Sequence, residues 1–552
     1  MDAKSVYKLW REKVKNDDLK SELLKISLDD DEIAERFGKK LSFGTAGVRG
    51  LIGVGTNRMN FVTVAGISQA FSLYLKRKFE LPKVVISYDT RKFSCEFAKI
   101  SAEVLASNGI NVYFFETPQP IGLLSFAITN LMCSGGVMIT ASHNPPEYNG
   151  YKVYNSLGAQ PIDTSEISDI FNRLDFFDLK KIDFRKCLKL KKIKIINKDI
   201  KLGYIRKIKS KINFENINNI DITYSPLNGC ALDLFKSFFK NVHVVDQQKK
   251  PDFSFATCSP PDPQKVNSFN LAVKLAKKND SDVVILNDPD GDRLGIALRY
   301  QNGYKILSGI EIAALLVNYF AHKSDISNKI LIKSVVTGGL SEVIADFYGA
   351  KCINTLSGFK YISNYMNKLE IDGKINLFFM GFEESNGFLP NSDINVRDKD
   401  GVMTAIYFCE MISYYKKLNI NCIDILNDLY KKFGYYMQKS ISFVEKNTIK
   451  IKEMILKFKN YFILNRNNVV ALSDYLMSEK INFGLNKILK LDLPKCDMIG
   501  IEFEDDNKLF IKASGTEPLI KFYILYSGKT HELADINCKK IESLINQIYK
   551  SP

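Results

Sequence analysis

Two short segments carry residue types that can do chemistry together. Thr140-Ala141-Ser142-His143-Asn144-Pro145-Pro146 follows an apolar run at 136–140. A hydroxyl in a turn at a strand end sits where ligand sites gather in α/β proteins. A serine there acts as a covalent nucleophile once a neighbour activates it, although a Ser/Asn-Pro turn that merely stops a strand reads the same way. Asp288-Pro289-Asp290-Gly291-Asp292-Arg293 sets three carboxylates at alternate positions in a glycine-containing turn. Oxygen donors of this kind suit a hard cation such as magnesium. An EF-hand loop fails on spacing: its sixth position needs glycine and holds Arg293, its twelfth needs glutamate and holds Arg299. A solvated acidic turn is the plain alternative, and the apolar flanks at 283–286 and 294–297 weigh against it.

Four more segments could bind an anionic, hydroxyl-rich ligand. Phe382-Glu383-Glu384-Ser385-Asn386-Gly387 ends an expected strand, where Glu and Ser can hydrogen-bond sugar hydroxyls; a helix start would look alike. Lys512-Ala513-Ser514-Gly515-Thr516-Glu517-Pro518, with Lys521 beyond, offers backbone N–H groups bracketed by cations, a phosphate cradle or an ordinary hairpin loop. Arg49 lies in the glycine-rich stretch 44–50, and Arg91 follows a strand in Ser87-Tyr88-Asp89-Thr90-Arg91. Either arginine could equally make surface salt bridges.

These segments need elements to hold them. Apolar runs at 83–88, 111–115, 136–140, 220–224, 242–245, 283–287, 330–334 and 377–381 read as strands, and 61–79, 96–108 and 231–240 as helices. Strands alternating with helices predict α/β units with largely parallel sheets. The end differs: 498–504, 508–512 and 520–526 read as antiparallel strands before a helix at 532–549. Segments rich in lysine and asparagine near 205, 323 and 436 separate these runs.

Composition narrows the class. The 552 residues exceed one core. The 45% apolar and 25% charged content is that of a folded protein. The net charge of +15 comes from lysines spread along the chain, as at 186–201, which read as solvated strand faces; a phosphorylated small substrate is as natural a partner for it as nucleic acid. None of the ten cysteines forms a C-x-x-C pair, and their scatter fits reduced thiols in the cytoplasm. The charged start has no signal core, and no apolar run reaches the roughly 18–20 residues of a membrane helix.

Taken in order, the segments at 44–50, 140–145, 288–293, 383–387 and 514–518 resemble the α-D-phosphohexomutase family, the phosphoglucomutases and phosphomannomutases. The resemblance spans about residue 40 to 526. The form Phe43-Gly44-Thr45-Ala46-Gly47 and the length are similar to the longer phosphoglucomutase branch, which includes phosphopentomutases. It implies an α/β protein of four domains around a central cleft: three related mixed-sheet α/β domains at 1–205, 206–322 and 323–436, and a smaller C-terminal α+β domain at 437–552. They carry, in turn, the phosphoserine, metal, sugar and phosphate loops.

The resemblance also implies roles. Ser142 carries the phosphoryl group, and Asp288, Asp290 and Asp292 bind one Mg²⁺ with an oxygen of phospho-Ser142. Glu383 and Ser385 hold sugar hydroxyls, and Ser514, Gly515 and Thr516, flanked by Lys512 and Lys521, clamp the other phosphate. Arg49, Lys152 and Arg293 lie near the transferred group, and His143, Gly358 and Lys360 line the site. The implied reaction interconverts hexose 1-phosphate and hexose 6-phosphate, of glucose or mannose, with a hexose 1,6-bisphosphate as intermediate and activator. Lys152 and His143 are both candidates for its acid/base. The partner is then a phosphorylated sugar, with no nucleic acid or membrane, and the oligomeric state stays open. A phosphomannomutase proper, a phosphopentomutase, a phosphatase and a basic nucleic-acid-binding protein are the rivals. Three departures stand out: Lys512 where the family usually has arginine, Pro261-Asp262-Pro263-Gln264 for Pro-Asn-Pro-Glu, and Asn386 where an aromatic or small residue is common.

Overall fold

The computed structural model describes residues 2–44, 47–196, 198–213, 217, 219–239, 241–390, 393–445, 447–466, 468–504, 506–513 and 519–550. They fall into two units: Met1–Ile306 with Ser363–Asn376 and Asn386–Tyr414, and Leu307–Ile362 with Leu377–Ser385 and Tyr415–Pro552.

The first unit begins with a seven-stranded mixed sheet. Its order is Phe43–Gly44, Gly47–Leu51, Tyr148–Asn155, Gly135–Ile139, Lys83–Tyr88, Asn111–Phe115 and Ile193–Ile196. Lys83–Tyr88 is parallel to both its neighbours, whereas Tyr148–Asn155 is antiparallel to both of its own. Central parallel strands are covered on both faces, so they read as unbroken apolar runs. Val84, Ile86, Val137 and Ile139 accordingly share one buried core with Val64, Ile67 and Phe71 of the helix Phe61–Lys78. Burying each such side chain contributes about 1.5–3 kcal/mol. Asn60 starts that helix: its side chain accepts the Val62 and Thr63 N–H groups, and the Thr63 hydroxyl accepts the Asn60 N–H.

The pairing of Gly135–Ile139 with Tyr148–Asn155 matters most for the site. It sets Lys152 opposite Met138 and leaves the serine segment as the connecting loop. Gly150 makes this possible, because a Cβ there would lie 2.4 Å from the Thr140 carbonyl oxygen and 2.7 Å from that of Val48. In a second mixed sheet Val283–Asn287 runs parallel to Ile222–Ser225 and antiparallel to Leu294–Tyr300. Asn287 pairs with Leu294, so 288–293 is the turn between two buried strands.

In the second unit Ile330–Ser334 lies parallel to Lys351–Thr355 and Phe378–Glu383. The chain ends in a seven-stranded antiparallel sheet in the order Tyr435–Val444, Leu519–Gly528, Lys508–Ala513, Met498–Phe503, Val469–Asp474, Glu479–Asn482 and Lys487–Lys490. One face packs Ile511, Ile520, Phe522 and Ile524 with Phe458 and Ile545 of the helices Thr448–Leu464 and His531–Lys550. The other face packs Phe510, Tyr523 and Leu525 with Val336 and Leu356.

The expected strands 83–88, 111–115, 283–287 and 330–334 appear with those ends. Tyr148–Asn155 and the outer strands of the last sheet were not expected. The helix expected over 231–240 is confined to Leu232–Lys236, because the Ser237 and Phe238 N–H groups bond three residues back and close the turn. Helix Lys198–Lys209 runs across residue 205 and helix Gly309–Lys323 across residue 322. Among the described residues no helix is long and apolar enough to cross a membrane.

Candidate active site

Strand Gly135–Ile139 delivers Ser142 into the loop in a left-handed backbone conformation, φ 52°. For a residue with a Cβ this costs about 1–3 kcal/mol unless the surroundings hold it. The Thr140 hydroxyl accepts the Ser142 N–H at 2.8 Å and reaches Asp89 Oδ2 at 2.6 Å and Asp290 Oδ2 at 3.2 Å. Ser142 Oγ donates to Asp288 Oδ2 at 2.9 Å and lies 3.2 Å from His143 Nδ1. The serine and the aspartate turn, some 146 residues apart in sequence, therefore meet. Ser142 is only 1% exposed.

The turn at 288–293 gathers its acids as the alternation suggests. Asp288, Asp290 and Asp292 are all buried, and one oxygen from each lies within 4.8 Å of the others. Gly291 has φ 68°, and a Cβ there would meet Pro120 Cβ at 2.7 Å. Asp288 Oδ1 accepts the Arg293 N–H at 2.9 Å. Asp290 Oδ2 accepts Lys152 Nζ at 2.8 Å, but Asp290 Oδ1 and Asp292 Oδ1 are buried with no hydrogen-bond partner. Buried carboxylate oxygens without donors fit an oxygen-liganded divalent cation.

Electrostatics point the same way. Burial first, then repulsion from Asp290 and Asp292, pushes the Asp288 carboxyl well above the usual range. Burial would also raise Asp290, but Lys152 overcomes this and holds it ionised. Burial, then Arg293, Arg49, Arg91 and Lys152, keeps His143 neutral. Lys152 Nζ also lies 3.3 Å from Asp292 Oδ2, and Arg293 Nε 4.0 Å from Asp288 Oδ2. Arg49 donates to Asn144 Oδ1 at 2.8 Å, beside the serine. Asp288, Asp290, Asp292, Arg49, Lys152 and Arg293 thus converge with Ser142 and His143.

The second unit holds the remaining candidates. Ser385 Oγ donates to Glu383 Oε1 at 2.8 Å, and Glu383 is buried. The neighbouring Glu384 is occupied by the Ser334 and Ser357 hydroxyls at 2.6 and 3.0 Å. Gly358, φ 119°, precedes the helix that carries Lys360, whose Nζ is 5.3 Å from the Tyr361 ring centroid. Lys512 and Lys521 are directly opposed on adjacent strands. Opposed residues share a sheet face, where like charges repel unless an anion joins them. Ser514, Gly515 and Thr516 lie outside the described residues.

One sequence reading is decided, and two of the departures take a structural place. Arg91 is not a surface residue: it is 3% exposed, and its guanidinium serves the serine loop. Asn386 holds a left-handed turn, φ 59°, and its Nδ2 donates to the Leu294 carbonyl at 3.0 Å. In Pro261-Asp262-Pro263-Gln264, Asp262 Oδ1 accepts the Gln264 N–H at 3.0 Å, so this segment builds a turn. One cation was missed. Lys399 Nζ lies 3.4 Å from Asp292 Oδ2 and 3.7 Å from Asp398 Oδ1. Its signal is the alternating run Arg397-Asp398-Lys399-Asp400 just before the helix Gly401–Lys417.

Known proteins share this chain's pattern. Residues 40–178, 202–302 and 308–433 match the three descriptions "Phosphoglucomutase/phosphomannomutase, alpha/beta/alpha" domain I, domain II and domain III. The phosphoglucomutase of Staphylococcus aureus (strain N315) is 34% identical over 559 residues, covering 97% of this chain and 98% of that one. The open form of pp63/parafusin, a phosphoglucomutase from Paramecium, superposes with a TM-score of 0.68 at 17% identity, covering 92% of this chain and 96% of that one. A phosphoglucomutase/phosphomannomutase family protein from Burkholderia thailandensis gives 0.66 at 17% identity, covering 92% and 98%.

Proposed function

Because this chain belongs to the α-D-phosphohexomutase family, we propose that it interconverts hexose 1-phosphate and hexose 6-phosphate, glucose before mannose, through a phosphorylated Ser142. It is a phosphohexomutase, an intramolecular phosphotransferase. The observation that carries the serine's role is the 2.9 Å approach of Ser142 Oγ to Asp288 Oδ2 within a trio of buried carboxylates. The name of the Staphylococcus aureus relative supports glucose.

In the proposed cycle the bond between phosphorus and Ser142 Oγ breaks as a sugar hydroxyl oxygen bonds to phosphorus. The hydroxyl proton leaves to His143, held neutral beside Oγ, and the departing Ser142 Oγ takes a proton back from that ring, while Lys152, the other acid/base candidate, stays ion-paired with Asp290. The product is a hexose 1,6-bisphosphate, which reorients and returns its other phosphoryl group to Ser142. Asp288, Asp290 and Asp292 would hold Mg²⁺ with a phosphoserine oxygen; when bound, it neutralises charge on the transferring group. Arg49, Arg293, Lys152 and Lys399 add fixed positive charge nearby. Glu383 and Ser385 would bind sugar hydroxyls, with Gly358 and Lys360 beside them. Lys512 and Lys521, with Ser514, Gly515 and Thr516, would bind the phosphate that is not transferred. Ser142 must become accessible for transfer, since it is 1% exposed here.

For four domains, the family matches at 40–178, 202–302 and 308–433 favour limits between 178 and 202, between 302 and 308, and after 433, where the last antiparallel sheet begins, in place of the expected 205, 322 and 436. Ten free cysteines accord with a reducing compartment, the cytoplasm.

The test has two parts. Glucose 1,6-bisphosphate should phosphorylate the protein on Ser142, read by peptide mass spectrometry. Coupled assays on glucose-1-phosphate, mannose-1-phosphate and ribose-1-phosphate should show isomer formation, fastest for glucose, lost with a chelator and restored by Mg²⁺. Free phosphate in place of isomer would make the protein a phosphatase. Phosphate on another residue would end the assignment of Ser142.

A further inference from the structure

We infer that Arg91, a residue outside the phosphate-facing set, is the positioning residue that fixes the phosphoryl-carrying hydroxyl; the inference rests on the role of Ser142 proposed above. The guanidinium is wrapped by the serine loop. Nη2 donates to the carbonyls of Ser142 and Asn144, each at 2.5 Å. Nη1 donates to those of Pro145 and Tyr148, at 2.8 and 3.1 Å. One planar group therefore binds four carbonyls of the stretch that carries the nucleophile. Its own place is set from behind: the Arg91 N–H donates to Asp89 Oδ1 at 2.9 Å, Nε lies 3.4 Å from Asp89 Oδ2, and the Phe255 ring sits 5.0 Å from the guanidinium carbon.

This arrangement answers a physical need. Ser142 occupies a left-handed backbone region that a residue with a Cβ leaves unless it is held. The carbonyl of Ser142 is itself one of the four bound groups, so Arg91 acts on the strained residue directly. Asp89 also accepts the Thr140 hydroxyl at 2.6 Å, and Thr140 accepts the Ser142 N–H. Both sides of the Ser142 peptide thus lead back to the Asp89–Arg91 corner. A lysine, with a point charge in place of a rigid fork, cannot bind four divergent carbonyls.

The test is Arg91→Lys, with circular dichroism to check folding. A hydroxyl displaced by about 1 Å loses transfer rate with little effect on binding, so kcat should fall ~10²-fold while KM stays within about twofold. In dephosphorylated protein, where the three aspartates alone are left to hold it, the Mg²⁺ midpoint should also stay within about twofold. Added guanidinium should partly restore Arg91→Ala. Wild-type kcat in Arg91→Lys, or KM and metal midpoint moving together with kcat, overturns the inference. If neither variant folds, Phe255→Leu removes the ring beside the guanidinium and leaves Arg91; an unchanged kcat there overturns it equally. Wild-type protein that takes no phosphate on Ser142 would instead sink the proposed function.

Discussion

Ser142 and Asp400 show how differently two buried polar residues act. Ser142→Ala removes only a hydroxyl from a loop held by other bonds, so folding should be intact. If Ser142 is the covalent carrier proposed above, mutase turnover should drop by at least about 10³-fold; near-normal turnover in a coupled assay would exclude the covalent route. Asp400 instead loads the fold. It caps the helix Gly401–Lys417 by accepting the Met403 N–H at 2.9 Å, and Tyr204 donates to it at 2.5 Å. Burial outweighs these bonds and raises its carboxyl to about 6. The unfolded group titrates near 3.9, so the folded state binds the extra proton between about pH 4 and pH 6. Its favourable contribution is complete below pH 4 and lost as pH rises through 6, on the order of 2–3 kcal/mol. Asp400→Asn keeps the cap acceptor and should flatten that part of the stability–pH curve in chelator-treated protein, measured by thermal or denaturant unfolding. An unchanged slope would contradict the assignment.

At the scale of elements, the aspartate turn owes its convergence to Gly291. Only a glycine combines φ 68° with a 2.7 Å approach of its Cβ position to Pro120 Cβ. Gly291→Ala should therefore strain the turn by about 1–3 kcal/mol and weaken Mg²⁺ roughly tenfold. A metal titration followed by activity checks this, and an unshifted midpoint would show that the turn tolerates a Cβ. Strands buried on both faces, such as Lys83–Tyr88 and Val283–Asn287, were legible because an apolar run between helices has few other places to go. Tyr148–Asn155 was not, since YNGYKVYN lacks both apolar continuity and alternation; its pairing with Gly135–Ile139 makes it a strand. The outer strand Lys487–Lys490 was hidden for the same reason, being exposed at every residue.

For the whole molecule, the +15 charge belongs with a phosphorylated substrate. Raising salt from about 20 to about 200 mM should lower kcat/KM severalfold as the field is screened, with kcat little changed; a salt-independent kcat/KM would deny the charge a steering role. The amino-acid sequence by itself determined the α/β class, the antiparallel ending, and the serine and aspartate segments, because each is written in contiguous residues whose types limit what they can do. Tertiary structure decided what joins them. Neither the 2.9 Å approach of Ser142 to Asp288, nor Lys399 beside Asp292, nor Arg91 beneath the serine loop follows from spacing. An isolated Asp-Lys-Asp or Asp-Thr-Arg reads equally well as a solvated surface. Only the packing that strips water from these charges makes each one answer to a particular partner.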